Sequence, residues 1–371
     1  MYSYIALPIR SEWDFAVDQD NLGDGRSPSL YKKRADDFFA KCIDENKPFY
    51  FMVNSHDPHR PFCYPDKLRE GAEMPSKIYT EKDVVLPGFL PDLPNVKKEY
   101  AAYLNSTRRL DDCFGAVMES LANSVFAENT LVMFMSDNGI AMPFAKCNTW
   151  FYSTRTPLLV RLPKQIKAGS KDLKNFVSTI DFLPTFLELT GVKGPRYLDG
   201  QSFLPLLRGE TQKNRAYVFT QIDKKAGHKA VPMRAVQNER FIYIYNAFNK
   251  SIPYRNNNEG LTMKAMEKAA KKNEGIARRV EHFRHRVPEE FYDLQKDPDC
   301  LNNLINKPEY KTELQKFKKK LANNMIQVND PILKAFENID NRKVVDEVLL
   351  QVYGKPENKQ KKSVKNKLKK H

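Results

Sequence analysis

Three short apolar runs without regular alternation of polar residues constrain the fold of this chain most strongly. They are FYFMV at residues 49–53, LVMFM at 131–135 and PLLVRL at 157–162. Such runs predict strands that are buried on both faces. Between and around them, apolar residues recur at helical spacing in the stretches 30–46, 98–124 and 176–189. Helices that alternate with doubly buried strands predict an α/β fold with a parallel or mixed sheet.

The pattern changes after about residue 214. The stretch RAVQNERFIYIYNAF predicts an antiparallel hairpin that turns near Asn238–Glu239, and EEFYDL at 289–294 predicts a further strand. Two helices are predicted near 309–325 and 341–352. These elements favour a smaller α+β domain in the second half of the chain.

The sequence therefore divides into three predicted units: the main α/β domain at 1–214, the α+β domain at 215–340, and a helix with a lysine-rich tail at 341–371. The 371-residue chain has a net charge of +15, and the stretch from Lys355 to His371 carries eight lysines and one glutamate. A solvated, disordered tail is the simplest interpretation, and attraction to nucleic acid or to a membrane surface is the alternative. No aromatic residues interleave these lysines, so no specific nucleic-acid partner is predicted.

Targeting signals and cysteine chemistry leave the compartment undetermined. No apolar stretch reaches the roughly 18–20 residues that a membrane span needs. The start, MYSYIALPIRSEWDF, lacks the basic beginning and long apolar middle of a signal peptide. The five cysteines include no Cys-x-x-Cys pair, so neither a zinc site nor a disulfide framework is indicated.

Polar clusters follow two of the predicted strands. The first cluster contains Asn54, His56, Asp57, His59 and Arg60, and the second contains Asp137, Asn138 and Gly139. Ligands of open α/β sheets lie outside the carboxyl ends of the strands. If the two strands are neighbours, both clusters face one cleft.

The second cluster contains candidate metal ligands. Asp137 and Asn138 offer a carboxylate and an amide oxygen, which are hard ligands suited to Ca²⁺ or Mg²⁺. The alternative is a turn, because Asn-Gly is a strong hairpin signal. The residues after Gly139 do not alternate as a returning strand would.

Cationic and titratable side chains near these clusters suggest an anionic substrate. Lys146 and Arg155 follow the second strand; each taken alone is equally well a surface residue. His59 is a candidate proton donor or hydrogen-bond partner of an anionic oxygen. For His56 a structural role stands beside a functional one, and for Arg60 the alternatives are pairing with Asp57 or with a neighbouring loop.

The motifs that contain these residues resemble the sulfatase family, which has the alkaline-phosphatase-like fold. They are PFYFMVNSHDPHRPF, NSTRRLDDCFGAVMESL, NTLVMFMSDNGIAMPFAK, FVSTIDFLPTFLELTGV and EEFYDLQKDPDCLNNL. The resemblance implies a mixed sheet flanked by helices and a smaller C-terminal α+β domain. The forms HDPHR and DNGI are most similar to the branch that includes heparan N-sulfatase, or sulfamidase.

The resemblance also implies roles for individual residues. Asp137 and Asn138 correspond to ligands of one Ca²⁺ per site, and His59 and Lys146 correspond to catalytic residues that contact the sulfate group. His56, Arg60 and Arg155 are further candidates for substrate contact.

The chain departs from the family at the nucleophile. Sulfatases use a formylglycine made from cysteine in a Cys-x-Pro-Ser-Arg type of motif, together with an N-terminal pair of aspartates. CYPDK at 63–67 matches that motif only superficially and follows the histidine cluster instead of preceding it. The sequence therefore predicts a sulfatase that is truncated at its N-terminus and lacks its nucleophile, with too few ligands for the six to eight oxygens of a calcium site.

Three functions follow from these observations. The first is hydrolysis of sulfate esters or sulfamates, with a sulfated small molecule or glycan as the partner. The second is an inactive remnant or a module that binds sulfated glycans without cleaving them. The third, a phosphatase or phosphodiesterase of the same fold, is disfavoured because only two of the six histidines, His56 and His59, lie in the polar clusters that follow the strands.

Overall fold

The computed structural model describes residues 13–225, 230–248, 253–256 and 258–354. The segment 1–12 and the lysine-rich tail at 355–371 lie outside the described residues. Among the helices that the structure describes, none is long and apolar enough to cross a membrane.

Two long helices form the N-terminal part of the molecule, as the apolar spacing predicts. Helix α1 spans Pro28–Asp44 and begins at Ser27, whose hydroxyl accepts a hydrogen bond from the Leu30 backbone N–H. Helix α2 spans Pro94–Ala122. Their bounds confirm the helices predicted at 30–46 and 98–124.

The run FYFMV is extended, but the prediction of a doubly buried strand is wrong. Phe51 stacks on Phe38 of α1 at a ring-centroid distance of 4.1 Å, while Tyr50 and Met52 are 60% and 50% exposed. Within the described residues, no backbone hydrogen bond pairs the segment 49–53 with another strand. Phe49 and Phe51 therefore pack inward, whereas Tyr50, Met52 and Val53 are exposed, and the uniformly apolar composition of the run conceals that difference.

The other two predicted strands form an antiparallel pair. Strand β1 spans Val132–Met135 and strand β2 spans Leu158–Arg161, with Val132 opposite Arg161. The short helix α3, Phe151–Thr154, lies between them in sequence. In the part of the chain that the structure describes, every paired strand is antiparallel, so the expected parallel pairing is absent from these residues.

The segment after β2 contains the predicted helix near 176–189 in a shorter form. Helix α4 spans Phe182–Thr190 and ends at Gly191, whose φ of 68° is the left-handed conformation favoured for glycine at a helix end. Helix α5 spans Leu204–Leu207. Short 3₁₀ helices occupy Gln19–Leu22, Glu81–Asp83, Thr179–Asp181 and Pro308–Tyr310.

A four-stranded antiparallel sheet forms the centre of the C-terminal part. Its strands, in spatial order, are β3 Val218–Lys224, β4 Ala230–Gln237, β5 Phe241–Asn246 and β6 Glu289–Asp293. The structure confirms the predicted hairpin and the strand at 289–294. The strand β3 was not predicted.

Helices precede and follow the last strand of this sheet. They are α6 Gly260–Ala270, α7 Glu274–Arg284, α8 Lys311–Gln327, α9 Leu333–Glu337 and α10 Arg342–Tyr353. Of these, α8 and α10 confirm the helices predicted near 309–325 and 341–352, whereas the sequence interpretation missed α6 and α7.

The four-stranded sheet separates two cores. One face, with Met233 and Ile244, packs against Trp150 and the loop that follows β1. The other face, with Tyr243, packs against Phe317 of α8. The first core therefore attaches the second polar cluster to the C-terminal sheet. The domain limits at residues 214 and 340 stay predictions.

Candidate active site

A buried carboxylate anchors the histidine loop, which we define as residues 54–61. Arg109 of α2 donates from Nε to Asp57 Oδ2 at 2.6 Å, and Arg26 donates from Nε to Asp57 Oδ1 at 3.2 Å. The Asp57 side chain is fully buried. A buried ion pair of this kind is costly to break, because the remaining charge loses its compensation. Asp57 therefore fixes the loop between α2 and the turn that precedes α1.

His56 packs against the turn that precedes α1. Its backbone N–H donates to the carbonyl of Gly25 at 3.1 Å, and its Nδ1 lies 3.0 Å from the carbonyl oxygen of Asp24. A Cβ added to Gly25, which has a φ of 68°, would lie 3.1 Å from the His56 Cβ. These contacts give His56 a structural role in the loop, and its contact with substrate stays a prediction.

His59 is exposed, and its contacts define its tautomer. Nδ1 lies 2.6 Å from the carbonyl oxygen of Arg60, so Nδ1 carries the proton and Nε2 has the lone pair in the neutral ring. Partial desolvation lowers the pKa of His59, and the positive charge of Lys146 lowers it further, against the effect of the hydrogen bond to Arg60. The positive charge of Lys146 thus acts on the His59 ring from the neighbouring loop.

Arg60 connects the histidine loop to three other segments. Its Nη1 donates to Glu99 Oε1 at 2.6 Å, its Nε donates to the carbonyl of Ala141 at 2.8 Å, and its Nη2 donates to the carbonyl of Asn258 at 3.4 Å. Of the two pairings that the sequence left open, the one with a neighbouring segment is confirmed and the one with Asp57 is wrong. The guanidinium is occupied by protein partners, and a role in substrate contact stays a prediction.

Glu99 completes this connection from within α2. Its carboxylate accepts hydrogen bonds from the backbone N–H groups of Leu261 and Thr262, at 3.0 and 2.8 Å, at the start of α6. Burial favours the protonated form, but Arg60 and these N–H groups hold the pKa of Glu99 below its usual value. The sequence interpretation missed Glu99, although an isolated charge beside Val96 and Tyr103 on the apolar face of a helix is a signal for a buried ion pair.

The lysine loop, defined as residues 136–150, carries the second polar cluster. The Gly139 N–H donates to the carbonyl of Ser153 at 2.9 Å, and a Cβ at Gly139 would lie 1.9 Å from the carbonyl oxygen of Tyr152. Asn256 Nδ2 donates to the carbonyl of Lys146 at 3.4 Å. Since β1 pairs with a strand that begins only at Leu158, the alternative of a tight Asn-Gly hairpin is wrong.

A buried polar network attaches the end of the lysine loop to the C-terminal sheet. Glu290 accepts hydrogen bonds from Trp150 Nε1 at 2.6 Å, Asn246 Nδ2 at 2.6 Å and Arg286 Nε at 2.8 Å. Arg286 also donates to the side-chain oxygen of Asn148. Burial raises the pKa of Glu290, but Arg286 and the other donors leave it below its usual value. A glutamate inside the apolar strand EEFYDL was the sequence signal for this network.

Arg155 contacts an aromatic ring of α3. Its guanidinium carbon is 5.3 Å from the centre of the Phe151 ring, and its side chain is exposed after α3. Within the described residues, it forms no hydrogen bond or ion pair with His59 or Lys146. Its proposed contact with substrate stays a prediction.

The pair of candidate metal ligands follows β1 directly. Asp137 is exposed and Asn138 is half-buried, with the Asn138 carbonyl accepting a hydrogen bond from Ser136 Oγ at 2.8 Å. In the described part of the chain, no group of three or more histidine, cysteine, aspartate or glutamate side chains could hold a metal ion. Calcium takes six to eight oxygen ligands, so the described residues do not fit a complete calcium site.

Cys63, in the superficial motif match CYPDK, has the environment of a structural cysteine. It is 3% exposed, and its backbone N–H donates to Ser106 Oγ at 2.8 Å. Burial raises the pKa of its thiol, which disfavours the reactive thiolate. The structure thus gives no support to Cys63 as the nucleophile.

Family models and curated relatives match most of this chain. The family model described as Sulfatase matches residues 6–192, and the model described as N-sulphoglucosamine sulphohydrolase, C-terminal, matches residues 143–279. The human N-sulphoglucosamine sulphohydrolase is 27% identical over 365 residues, which cover 90% of this chain and 71% of that protein. An ulvan-active sulfatase of Formosa agariphila is 31% identical over 269 residues, which cover 70% of this chain and 43% of that protein.

Solved structures show the same fold. A 2-O glycosaminoglycan sulfatase superimposes with a TM-score of 0.53 at 19% identity, covering 85% of this chain and 65% of that chain. A protein solved in complex with its substrate D-glucosamine-2-N,6-O-disulfate superimposes with a TM-score of 0.56 at 19% identity, covering 82% and 70%. These likenesses confirm the fold class expected from the sequence.

Proposed function

Because the chain belongs to the sulfatase family, whose model matches residues 6–192, we propose that it serves in the hydrolysis of sulfate esters or sulfamates on sulfated sugars. The relatives named above support sugar substrates, since one is described as an N-sulphoglucosamine sulphohydrolase and another as an ulvan-active sulfatase. The chain spans less than half the length of the second of these relatives, so its own activity and substrate belong to this proposal.

The observation that carries the proposal is the direct contact between the loop that carries His59 and the loop that carries Lys146. Arg60 holds these loops together through the carbonyl of Ala141. The ammonium group of Lys146 would compensate the negative charge of sulfate oxygens. An arriving anion would favour protonation of His59 at Nε2, which would then donate to a sulfate oxygen or to the leaving group.

Asp137 and Asn138 are proposed as two ligands of a single Ca²⁺. The proposal rests on their oxygen donors and on their position after β1, and it requires further ligands beyond this pair. The roles proposed for His59 and Lys146 do not depend on that ion.

A second candidate function is binding of sulfated sugars without cleavage. It is favoured by the environment of Cys63, which is buried and follows the histidine loop in a motif with lysine where the family has arginine. The same His59 and Lys146 would then bind the sulfate group, and no bond would be broken.

The test measures binding and turnover separately on the purified full chain. D-glucosamine N-sulfate is titrated by calorimetry, and release of inorganic sulfate is followed with the same ligand. Lys146→Gln should weaken binding about ten-fold, because it removes a charge-assisted contact. Lys167→Gln removes an exposed lysine elsewhere and should change nothing.

Three outcomes separate the candidates. Binding that depends on Lys146 together with sulfate release supports the hydrolase. Binding that depends on Lys146 without release selects the binding module. Equal affinity in the Lys146→Gln variant and the unaltered chain would overturn both.

A further inference from the structure

One face of helix α6 and the turn after it carries a row of lysines. The strip consists of Lys264, Lys268, Lys271 and Lys272, and all four residues are exposed. Positions 264, 268 and 271 recur at the i, i+4, i+7 spacing that places side chains on one face of a helix. At 1.5 Å per residue, the first and third of these lysines are about 10 Å apart along the axis. The opposite face buries Met263 and Met266 in the core.

The described ion pairs of the nearby glutamates are formed with residues outside the strip, which leaves the strip lysines without a paired carboxylate. Arg284 donates to Glu259 at 2.6 Å and to Glu267 at 2.6 Å, and Arg278 lies 3.7 Å from Glu274. None of the four strip lysines forms an ion pair with a described residue. The strip is therefore a region of unbalanced positive charge on an ordered helix.

The strip begins at the candidate active site. At the start of α6, the backbone N–H groups of Leu261 and Thr262 donate hydrogen bonds to Glu99, which also pairs with Arg60. The segment before α6 contacts the carbonyl of Lys146 through Asn256. The N-terminal end of α6 thus lies at the edge of the two loops, and the strip lysines follow along the same helix.

We propose that the strip on α6 binds the anionic groups of a sulfated polysaccharide, beyond the sugar that enters the candidate active site. The inference rests on the proposed function and deepens it, because it assigns a chain of several sugars as the ligand in place of a single one. Nucleic acid fits less well, since Phe283, the aromatic residue of the hairpin formed by α6 and α7, is fully buried and offers no stacking surface.

The experiment compares two triple variants of the full chain that lose the same charge. The strip variant is Lys264→Gln/Lys268→Gln/Lys271→Gln. The matched control is Lys311→Gln/Lys319→Gln/Lys343→Gln, which removes three exposed helical lysines from α8 and α10. The probe is a heparin octasaccharide, titrated by fluorescence anisotropy at several salt concentrations. Because the lysine-rich tail is present in both variants, its contribution is the same in each.

The strip variant should lose about ten-fold in heparin affinity, with a shallower salt dependence, since fewer counterions are released. The heparin affinity of the control variant should change by less than about two-fold. Equal losses in the two variants would overturn the proposal, because they would show that only total charge matters. An equal loss for a single-stranded oligonucleotide of the same charge would also overturn it, because the strip would then not select glycans.

A monosaccharide titration separates this inference from the proposed function. The strip variant should bind D-glucosamine N-sulfate as the unaltered chain does, because one sugar cannot reach both the loops and the strip. If heparin binding falls in the strip variant while the monosaccharide binds to neither protein, the result supports polysaccharide binding by the strip and contradicts the proposed function. If the monosaccharide affinity falls as much as the heparin affinity, the strip is not a separate surface and the inference fails.

Discussion

Arg60 and Glu99 form an ion pair, with 2.6 Å between Nη1 and Oε1, at the point where the histidine loop, the lysine loop and helix α6 meet. The same arginine binds the carbonyl of Ala141, and the same glutamate receives the first backbone N–H groups of α6. The relative position of the two loops that carry His59 and Lys146 therefore depends on this ion pair.

Removal of Arg60 should destabilise the protein strongly. Glu99 is 1% exposed, so the Arg60→Gln variant leaves a buried carboxylate without its cation. We expect the free energy of unfolding to fall by about 3 kcal/mol. Urea denaturation measures this fall, and the slope of the transition should stay unchanged if only the native state is affected.

A double-mutant cycle with Glu99→Gln tests whether the pair acts as one unit. The double variant should lose less than the sum of the two single losses, because no orphaned charge remains. Arg161→Gln is the matched control: it removes an exposed arginine that lies 3.7 Å from Glu128, and it should cost less than about 1 kcal/mol. Additive losses at Arg60 and Glu99 would show that the pair is not coupled.

Gly139 should tolerate no side chain. A Cβ there would lie 1.9 Å from the carbonyl oxygen of Tyr152 and 2.4 Å from that of Ala145. The Gly139→Ala variant must displace the backbone of the lysine loop, so we expect a loss of about 3 kcal/mol in unfolding free energy. Affinity for D-glucosamine N-sulfate should fall as well, because Lys146 lies on the displaced loop.

Gly115 provides the comparison for that substitution. It lies within α2, and a Cβ there would meet no atom within 4 Å. Gly115→Ala should therefore stabilise the chain by about 0.5 kcal/mol, since alanine loses less backbone entropy in a helix than glycine. If both alanine variants lowered stability equally, the close approach at Gly139 would not be the cause.

Elements whose apolar pattern agrees with their turn residues could be predicted from the sequence. Elements whose composition conceals which residues are buried could not. The strand at 132–135 and the hairpin at Asn238–Glu239 were correct because their apolar patterns and turn residues agree. The run FYFMV was misassigned because a half-exposed segment with apolar residues on both faces has the composition of a buried strand. Helix α7 was missed because many of its residues are charged and its apolar face is narrow.

Within the candidate site, sequence reasoning located the two loops but not what holds them. His59 and Lys146 stand out by residue type and by position after apolar runs. Glu99 and Glu290 stand out only as charges within apolar patterns, and the sequence does not identify their partners, which lie more than 100 residues away at Leu261 and Trp150. Such partners become visible only when the fold brings distant segments together.

Sulfate binding should strengthen as the pH falls. Partial desolvation and the charge of Lys146 lower the pKa of His59 in the free protein, so the ring is neutral near pH 7. A bound anion stabilises the charged ring and raises its pKa, so binding is accompanied by proton uptake. As the solution is acidified, the affinity for sulfate therefore rises mainly in one pH range. That range lies between the pKa of His59 with sulfate bound and its lower pKa in the free protein.

Proton NMR of the His59 ring measures this coupling. Titration of the free chain and of the chain saturated with sodium sulfate should give a higher pKa for His59 in the second sample. Lys146→Gln should raise the pKa of His59 without sulfate, because it removes a nearby positive charge. His285, which lies 3.9 Å from Glu281, serves as the internal reference. A His59 signal that responds to neither sulfate nor Lys146→Gln would contradict the proposed contact.

Calcium should bind weakly to the chain, and it should do so through Asp137. The side chains of Asp137 and Asn138 supply only a minority of the six to eight oxygen ligands that calcium takes. A dissociation constant in the millimolar range is therefore expected. At 10 mM calcium, the free energy of unfolding should then rise by about 1.4 kcal/mol, measured by urea denaturation. Asp137→Asn should abolish the rise, and Asp199→Asn, at an exposed residue elsewhere, should leave it intact. A rise that survives Asp137→Asn would exclude this carboxylate as the ligand.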